Sequence, residues 1–120
     1  MSIPLREQLL RYAIEQQGVQ PEYLWAGHPN FAVLRRAGSR KWYALFMDVE
    51  RKRLGLPGEG IADILDVKCD PLLRGSLLES AGFLPAYHMN KDRWITLLLD
   101  GSIPWDEIIT LLNMSYELTK

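Results

Sequence analysis

The most distinctive short run in the chain is Tyr87-His88-Met89-Asn90-Lys91, with Arg93 two residues further on. Side chains of these types on one loop can meet a phosphate or a base edge. Lys and Arg neutralise phosphates, and Asn can pair with adenine in the major groove. The same residues can instead serve the fold, with Asn90 holding a turn, Lys91 pairing with a carboxylate and His88 satisfying a buried carbonyl. A second group, Arg35, Arg36, Arg40 and Lys41, flanks a glycine-containing turn. It reads as a wing that enters a groove or lies along a phosphate backbone. Arg51, Lys52 and Arg53 would extend that patch if the glycine-rich stretch after them folds over it. The structural alternative is a solvated hairpin whose Lys and Arg residues guard a sheet edge.

The charge distribution supports interest in this region. The net charge of the 120 residues is -1, which is no footprint for a nucleic-acid binder. Residues 35–53, however, carry seven basic against two acidic side chains, a local +5, so the rest of the chain is acidic. Screening confines the field of such a cluster to about 10 Å, so it can act on a phosphate even on a near-neutral protein. Catalytic chemistry is poorly represented. One cysteine, Cys69, excludes an internal disulfide and every multi-cysteine metal site. Cys69 reads as a small buried hydrophobe, and a nucleophile–base pair with His88 has no support in the spacing. Cys69, His28 and His88 have no metal-ligand spacing either. No catalytic residues, metal or cofactor are expected.

The elements that must position these groups follow from the hydrophobic pattern. Residues 4–17 read as a first helix, with Leu5, Leu9, Leu10, Ala13 and Ile14 at helical spacing and Gly18 as its stop. Residues 19–30 read as a loop. Phe31–Arg36 and Lys41–Val49 read as two strands of a hairpin. Strict alternation places Trp42, Ala44 and Phe46 on one face and Tyr43, Leu45, Met47 and Val49 on the other, so the second strand has apolar residues on both faces. Residues 50–61 read as a glycine-rich loop that matches neither a P-loop nor a dinucleotide fingerprint. Ile61–Cys69 reads as a third strand. Asp70-Pro71 opens a helix that Gly82 stops, and residues 83–92 read as a loop. Arg93–Leu99 is a fourth strand and Pro104–Leu118 a last helix, with Trp105, Ile108, Ile109, Leu112 and Tyr116 on its buried face. The order predicts a single α+β domain over 1–120, an antiparallel sheet with N-terminal, middle and C-terminal helices packed on it. The four tryptophans, Trp25, Trp42, Trp94 and Trp105, read as core; one at a groove mouth would point to a ligand pocket.

Lys68-Cys-Asp-Pro71, Gly82–Ile95, Leu99-Asp-Gly101 and Ser115-Tyr116 together resemble the MmcQ/YjbR family, most specifically through Pro85-Ala-Tyr-His-Met-Asn-Lys91 followed by Trp94. The resemblance covers residues 66–118, and Lys41-Trp-Tyr-Ala44 is compatible with it. The glycine-rich stretch 50–61 departs from shorter members. The resemblance implies a frataxin-like, CyaY-like fold and, by structural analogy, a double-wing DNA-binding module. It brings no established catalytic residues or cofactor.

The combined expectation is a non-enzymatic, DNA-binding-type protein that contacts the phosphate backbone of double-stranded DNA weakly and with steep salt dependence. The contacts would come from the basic hairpin and the His88–Arg93 loop. The alternative is a regulatory domain that binds a protein partner or a small anionic ligand. Shape discriminates the two: a convex basic ridge for DNA, or a concavity lined by tryptophan and His88 for a ligand. A cytoplasmic monomer without membrane contact is expected. The N-terminal octapeptide Met-Ser-Ile-Pro-Leu-Arg-Glu-Gln lacks a basic region followed by an apolar one, and no stretch is apolar for long enough to span a bilayer.

Overall fold

The computed structural model describes residues 3–120; Met1 and Ser2 of the N-terminal octapeptide lie outside the described residues. The elements run α1 (Leu5–Gln16), β1 (Ala32–Arg35), β2 (Trp42–Glu50), a 3-10 turn (Arg51–Leu54), β3 (Ile61–Lys68), α2 (Pro71–Leu77), β4 (Phe83–Pro85), β5 (Trp94–Leu98) and α3 (Trp105–Leu118). The five strands form one antiparallel sheet in the order β1-β2-β3-β5-β4. The expected α+β class and antiparallel sheet are present. Among the described residues no helix is long and apolar enough to cross a membrane.

The two faces of the sheet are covered differently. On the first face Leu34, Phe46, Leu65, Val67, Ile95 and Leu97 pack under all three helices. On the second face Val33, Leu45, Met47, Val49, Ile64 and Leu98 pack under loop residues and the 3-10 turn. Among the described residues no α-helix packs there. Apolar residues on both faces of β2 require a second cover, because bare apolar strand surface is unfavourable in water. Here the cover consists of aromatic side chains carried on loops.

Strict alternation along β2 fails at one point. The β1–β2 register shifts between Leu34 and Arg35, leaving an extra residue on β2. The bulge turns Tyr43 to the helix face beside Ala44 and Phe46, and leaves Trp42 on the loop face with Leu45 and Met47. The β2–β3 ladder ends at the same place, with Ala44 opposite Val67 as its last pair. Ser115 of α3 repairs the break. Its Oγ accepts from Lys68 N–H at 2.9 Å and donates to the Tyr43 carbonyl at 2.6 Å. Tyr43 Oη in turn donates to Gln17 Oε1 at 2.8 Å, and burial holds this phenol well above its ordinary pKa. At the other end of the strands Asp48 faces Asp63, a like-charged cross-strand pair. Arg6 of α1 pairs with Asp63 at 3.2 Å, and Asn30 donates to Asp48 at 3.0 Å.

Three further readings are corrected. α2 ends at Leu77, not near Gly82, because residues 76–80 tighten into i→i+3 bonds from Glu79 to Ser76 and from Ser80 to Leu77. Part of the expected loop 83–92 is an edge strand, Phe83–Pro85, whose pairing with β5 no local pattern of three residues ending in proline could reveal. Gly82, at φ +93°, introduces that strand, and a Cβ there would lie 2.5 Å from Ile103 Cγ1. On α3 the buried positions are Ile108, Leu111, Leu112 and Ser115, while Trp105 is 37% exposed and meets Tyr12 edge-on.

Candidate functional site

The loop 19–31 carries its aromatic residues over the second face. Trp25 meets Phe31 edge-on at 5.9 Å between ring centroids and Trp42 at 5.7 Å. His28 stacks on Phe31 at 4.3 Å and 14°. From the opposite side the loop 86–93 brings Tyr87, His88 and Met89, with the Tyr87 and His88 rings 4.1 Å apart. Between them lies a concavity of about 490 Å³ whose floor is Leu45, Met47 and Val49 and whose rim includes Arg53. Its size is within the range of small-molecule sites, and the ionisable side chains His28, Asp48, Glu50, Arg53 and His88 join its apolar and aromatic lining. Trp25 and Trp42 therefore line a groove mouth; Trp94 is the buried core tryptophan.

The Tyr87–Met89 wall is held rigidly. Tyr87 N–H donates to Thr96 Oγ1 at 2.9 Å, and that hydroxyl donates to Asp66 Oδ1. Lys91 Nζ closes the loop by donating to the Ala86 carbonyl at 2.8 Å. Asn90 holds the turn that follows, its Oδ1 accepting from Asp92 N–H at 2.8 Å. His88 sits at φ 59°, a left-handed conformation uncommon for a side-chain-bearing residue. Asp66 is wholly buried beneath this loop, and among the described residues its Oδ2 has no hydrogen-bond partner. Burial pushes its carboxyl up to about 7, against the opposing effects of the Thr96 bond and the Lys91 charge.

The predicted basic residues do not form one surface. The hairpin is docked on the C-terminus of α3. Arg36 donates to the Tyr116 carbonyl at 2.6 Å with its guanidinium 3.9 Å over the Tyr116 ring, and Ser39 donates to the Thr119 carbonyl. Cations suit this end of a helix, where carbonyls lack partners. Arg35 and Arg40 both reach Glu22, at 2.9 and 3.9 Å, and Arg35 also lies 5.9 Å from the Trp42 ring. Arg51, Lys52 and Arg53 sit at the other end of β2, roughly 30 Å away for a strand of this length. The single patch joining 35–41 to 51–53 is thus corrected. The glycine-rich stretch folds back on itself, with Arg51 Nε donating to the Pro57 carbonyl at 2.9 Å, and Glu50 pairs with Lys52 and Arg53. Of the predicted residues, Lys41, Asn90 and Arg93 are brought to one end of the sheet, beside Lys68. Lys91 bonds a carbonyl and not the expected carboxylate, and His88 is exposed at the cavity and not turned to a buried carbonyl.

A family model described as YjbR matches residues 14–118. The chain belongs to the YjbR family. A Bacillus subtilis (strain 168) relative described as uncharacterized protein YyaQ is 41% identical over 115 residues, covering 96% of this chain and 98% of that one. The crystal structure of a Pseudomonas syringae protein superposes with a TM-score of 0.93 at 41% identity, over 96% of this chain and 98% of that one. A Deinococcus radiodurans protein at 22% identity shares the fold, with a TM-score of 0.74 over 98% of this chain and 81% of that one.

In this YjbR protein Cys69 and His88 line different concavities. Burial pushes the Cys69 thiol up, the opposite of what an activated nucleophile needs. Among the described residues no three His, Cys, Asp or Glu side chains gather as a metal site. Sequence reasoning did not assign Trp25, His28, Phe31 and Met89 to the site. The signal was available in the two-faced β2 pattern, which demanded a cover that three helices on one face cannot supply.

Proposed function

We propose that this YjbR protein is a non-catalytic binding module whose ligand is a small planar aromatic molecule bearing an acidic group. The observation that carries this reading is the concavity of about 490 Å³, where Trp25, Phe31, Trp42 and Tyr87 surround a floor of Leu45 and Met47. Aromatic rings meeting edge-on expose apolar faces to a flat guest and contribute beyond simple burial. His28, His88 and Arg53 supply hydrogen-bond donors at the rim for an acidic substituent, beside Asp48 and Glu50, the latter paired with Arg53. Duplex binding by the hairpin is less well supported, because Arg35, Arg36 and Arg40 are engaged with Glu22, Tyr116 and Glu117.

Isothermal titration with 2-naphthoate tests the proposal. Saturable one-to-one binding is expected, at least about tenfold weaker in Trp25→Ala, since each well-packed aromatic contact contributes ~1 kcal/mol or more. Binding that survives both Trp25→Ala and Tyr87→Ala unchanged would place the ligand elsewhere and defeat the reading.

A further inference from the structure

A second concavity, of about 440 Å³, opens at the end of the sheet where β3 finishes and β5 begins. Lys68, Asn90, Arg93 and Trp94 line it. The Lys68 ammonium lies 5.7 Å from the Trp94 ring centroid. Arg93 lines the same concavity, and Lys41, just before β2, lies near enough for its charge to act on the Lys68 ammonium. Burial and these two like charges push the Lys68 ammonium below the ordinary lysine range. Among the described residues, none of the three has a carboxylate within ion-pair distance, whereas Arg35, Arg36 and Arg40 of the nearby hairpin all do. Asp70 is the one acidic residue of the lining, and its Oδ1 accepts from Leu72 N–H at the start of α2.

The backbone at Lys68 and at Arg93 is held in place. The Lys68 backbone is fixed by the Ser115 hydroxyl. Arg93 N–H donates to the Asn90 carbonyl at 3.2 Å, within the turn that Asn90 Oδ1 also stabilises. Lys68 and Arg93 come from separate segments and neither is ion-paired, so an anion placed between them would relieve their mutual repulsion. A planar guanidinium beside an ammonium group suits a tetrahedral dianion, and the volume leaves room for an organic body beside it.

We propose that the concavity lined by Lys68, Asn90, Arg93 and Trp94 binds the phosphoryl group of a small organic phosphate. The site is separate from the aromatic cavity, although one loop serves both: residues 87–89 line the first, Asn90 and Arg93 the second.

Phenyl phosphate, titrated into the full chain and followed by amide NMR at constant ionic strength, tests this. Saturating shifts are expected at residues 68–70 and 90–94. Lys68→Met, which keeps the aliphatic stem, and Arg93→Met should each weaken binding at least about tenfold, the effect of losing one charged hydrogen bond. Both variants should unfold at the wild-type temperature, so a loss of binding is not a loss of fold. Shifts reproduced by sodium chloride alone would overturn the proposal, as would affinity unchanged in Lys68→Met. Binding of a DNA duplex without binding of phenyl phosphate would also overturn it, in favour of a surface that tracks a polymer backbone.

Discussion

The two faces of the sheet are built from similar strand residues and serve different ends. Under the helices, Phe46, Leu65, Leu97, Ile108 and Leu112 are wholly buried, and the polar groups among them are bonded in pairs. Gly82 shows how little slack this side has, since even a methyl group there would collide with Ile103. Under the loops, Leu45, Met47 and Val49 are buried as well, but the partly exposed aromatic rings that cover them leave a concavity above them. Regular helices with periodic apolar stripes close a face completely. Loops deliver side chains one at a time and leave space between them, which is the arrangement a binding site requires.

The comparison can be broken by substitution. The largest effect is expected on the helix face: Phe46→Ala, at a wholly buried position, should cost about 3–5 kcal/mol in chemical denaturation. Trp25→Ala on the loop face should cost about 1–2 kcal/mol despite its larger side chain, because the ring borders existing space and loses chiefly its edge-on contacts. Equal costs would mean that the loop face is also a packed core.

The next effect concerns the carboxyl beneath the binding loop. Asp66 has a folded pKa of about 7 against an ordinary value of 3.8, so the native state holds the proton more tightly than the unfolded chain does. Its contribution to stability is therefore fully present below about pH 4 and is lost as pH rises through about 7. Asp66→Asn, which keeps an acceptor for Thr96, should flatten this decline and gain roughly 2 kcal/mol at pH 8. Denaturation curves at pH 5 and pH 8 check it; parallel pH dependence in both proteins would show that Asp66 is not the titrating group. A smaller loss, about 1–2 kcal/mol, is expected for Ser115→Ala, which leaves Lys68 N–H and the Tyr43 carbonyl without their shared partner. Faster hydrogen exchange at the Lys68 amide would accompany it.

These contrasts show what was legible in the sequence. Helical spacing in residues 5–16 and 105–118 announced two of the helices, and Asp70-Pro71 announced the third. The Asn90 turn and the Pro85–Trp94 motif were legible because both are local. The bulge at Tyr43 was not, because it depends on Ser115, more than seventy residues later. The docking of Arg36 on α3 was hidden for the same reason, so its charge read as free when it is engaged. Lys68 passed as an ordinary strand end until the fold placed it in one concavity with Arg93. The basic cluster of 35–53 was a fact of sequence proximity that a nine-residue extended strand then divided.

One spectrum compares the faces directly. In a methyl-resolved NMR titration with 2-naphthoate, the signals of Leu45, Met47, Val49 and Met89 should shift and saturate together. Those of Leu65, Leu97, Ile108 and Leu112, beneath the helices, should stay in place. Shifts confined to the helix-face methyls, or no saturable shift at the loop-face methyls, would contradict the assignment of the loop-covered face as the ligand site.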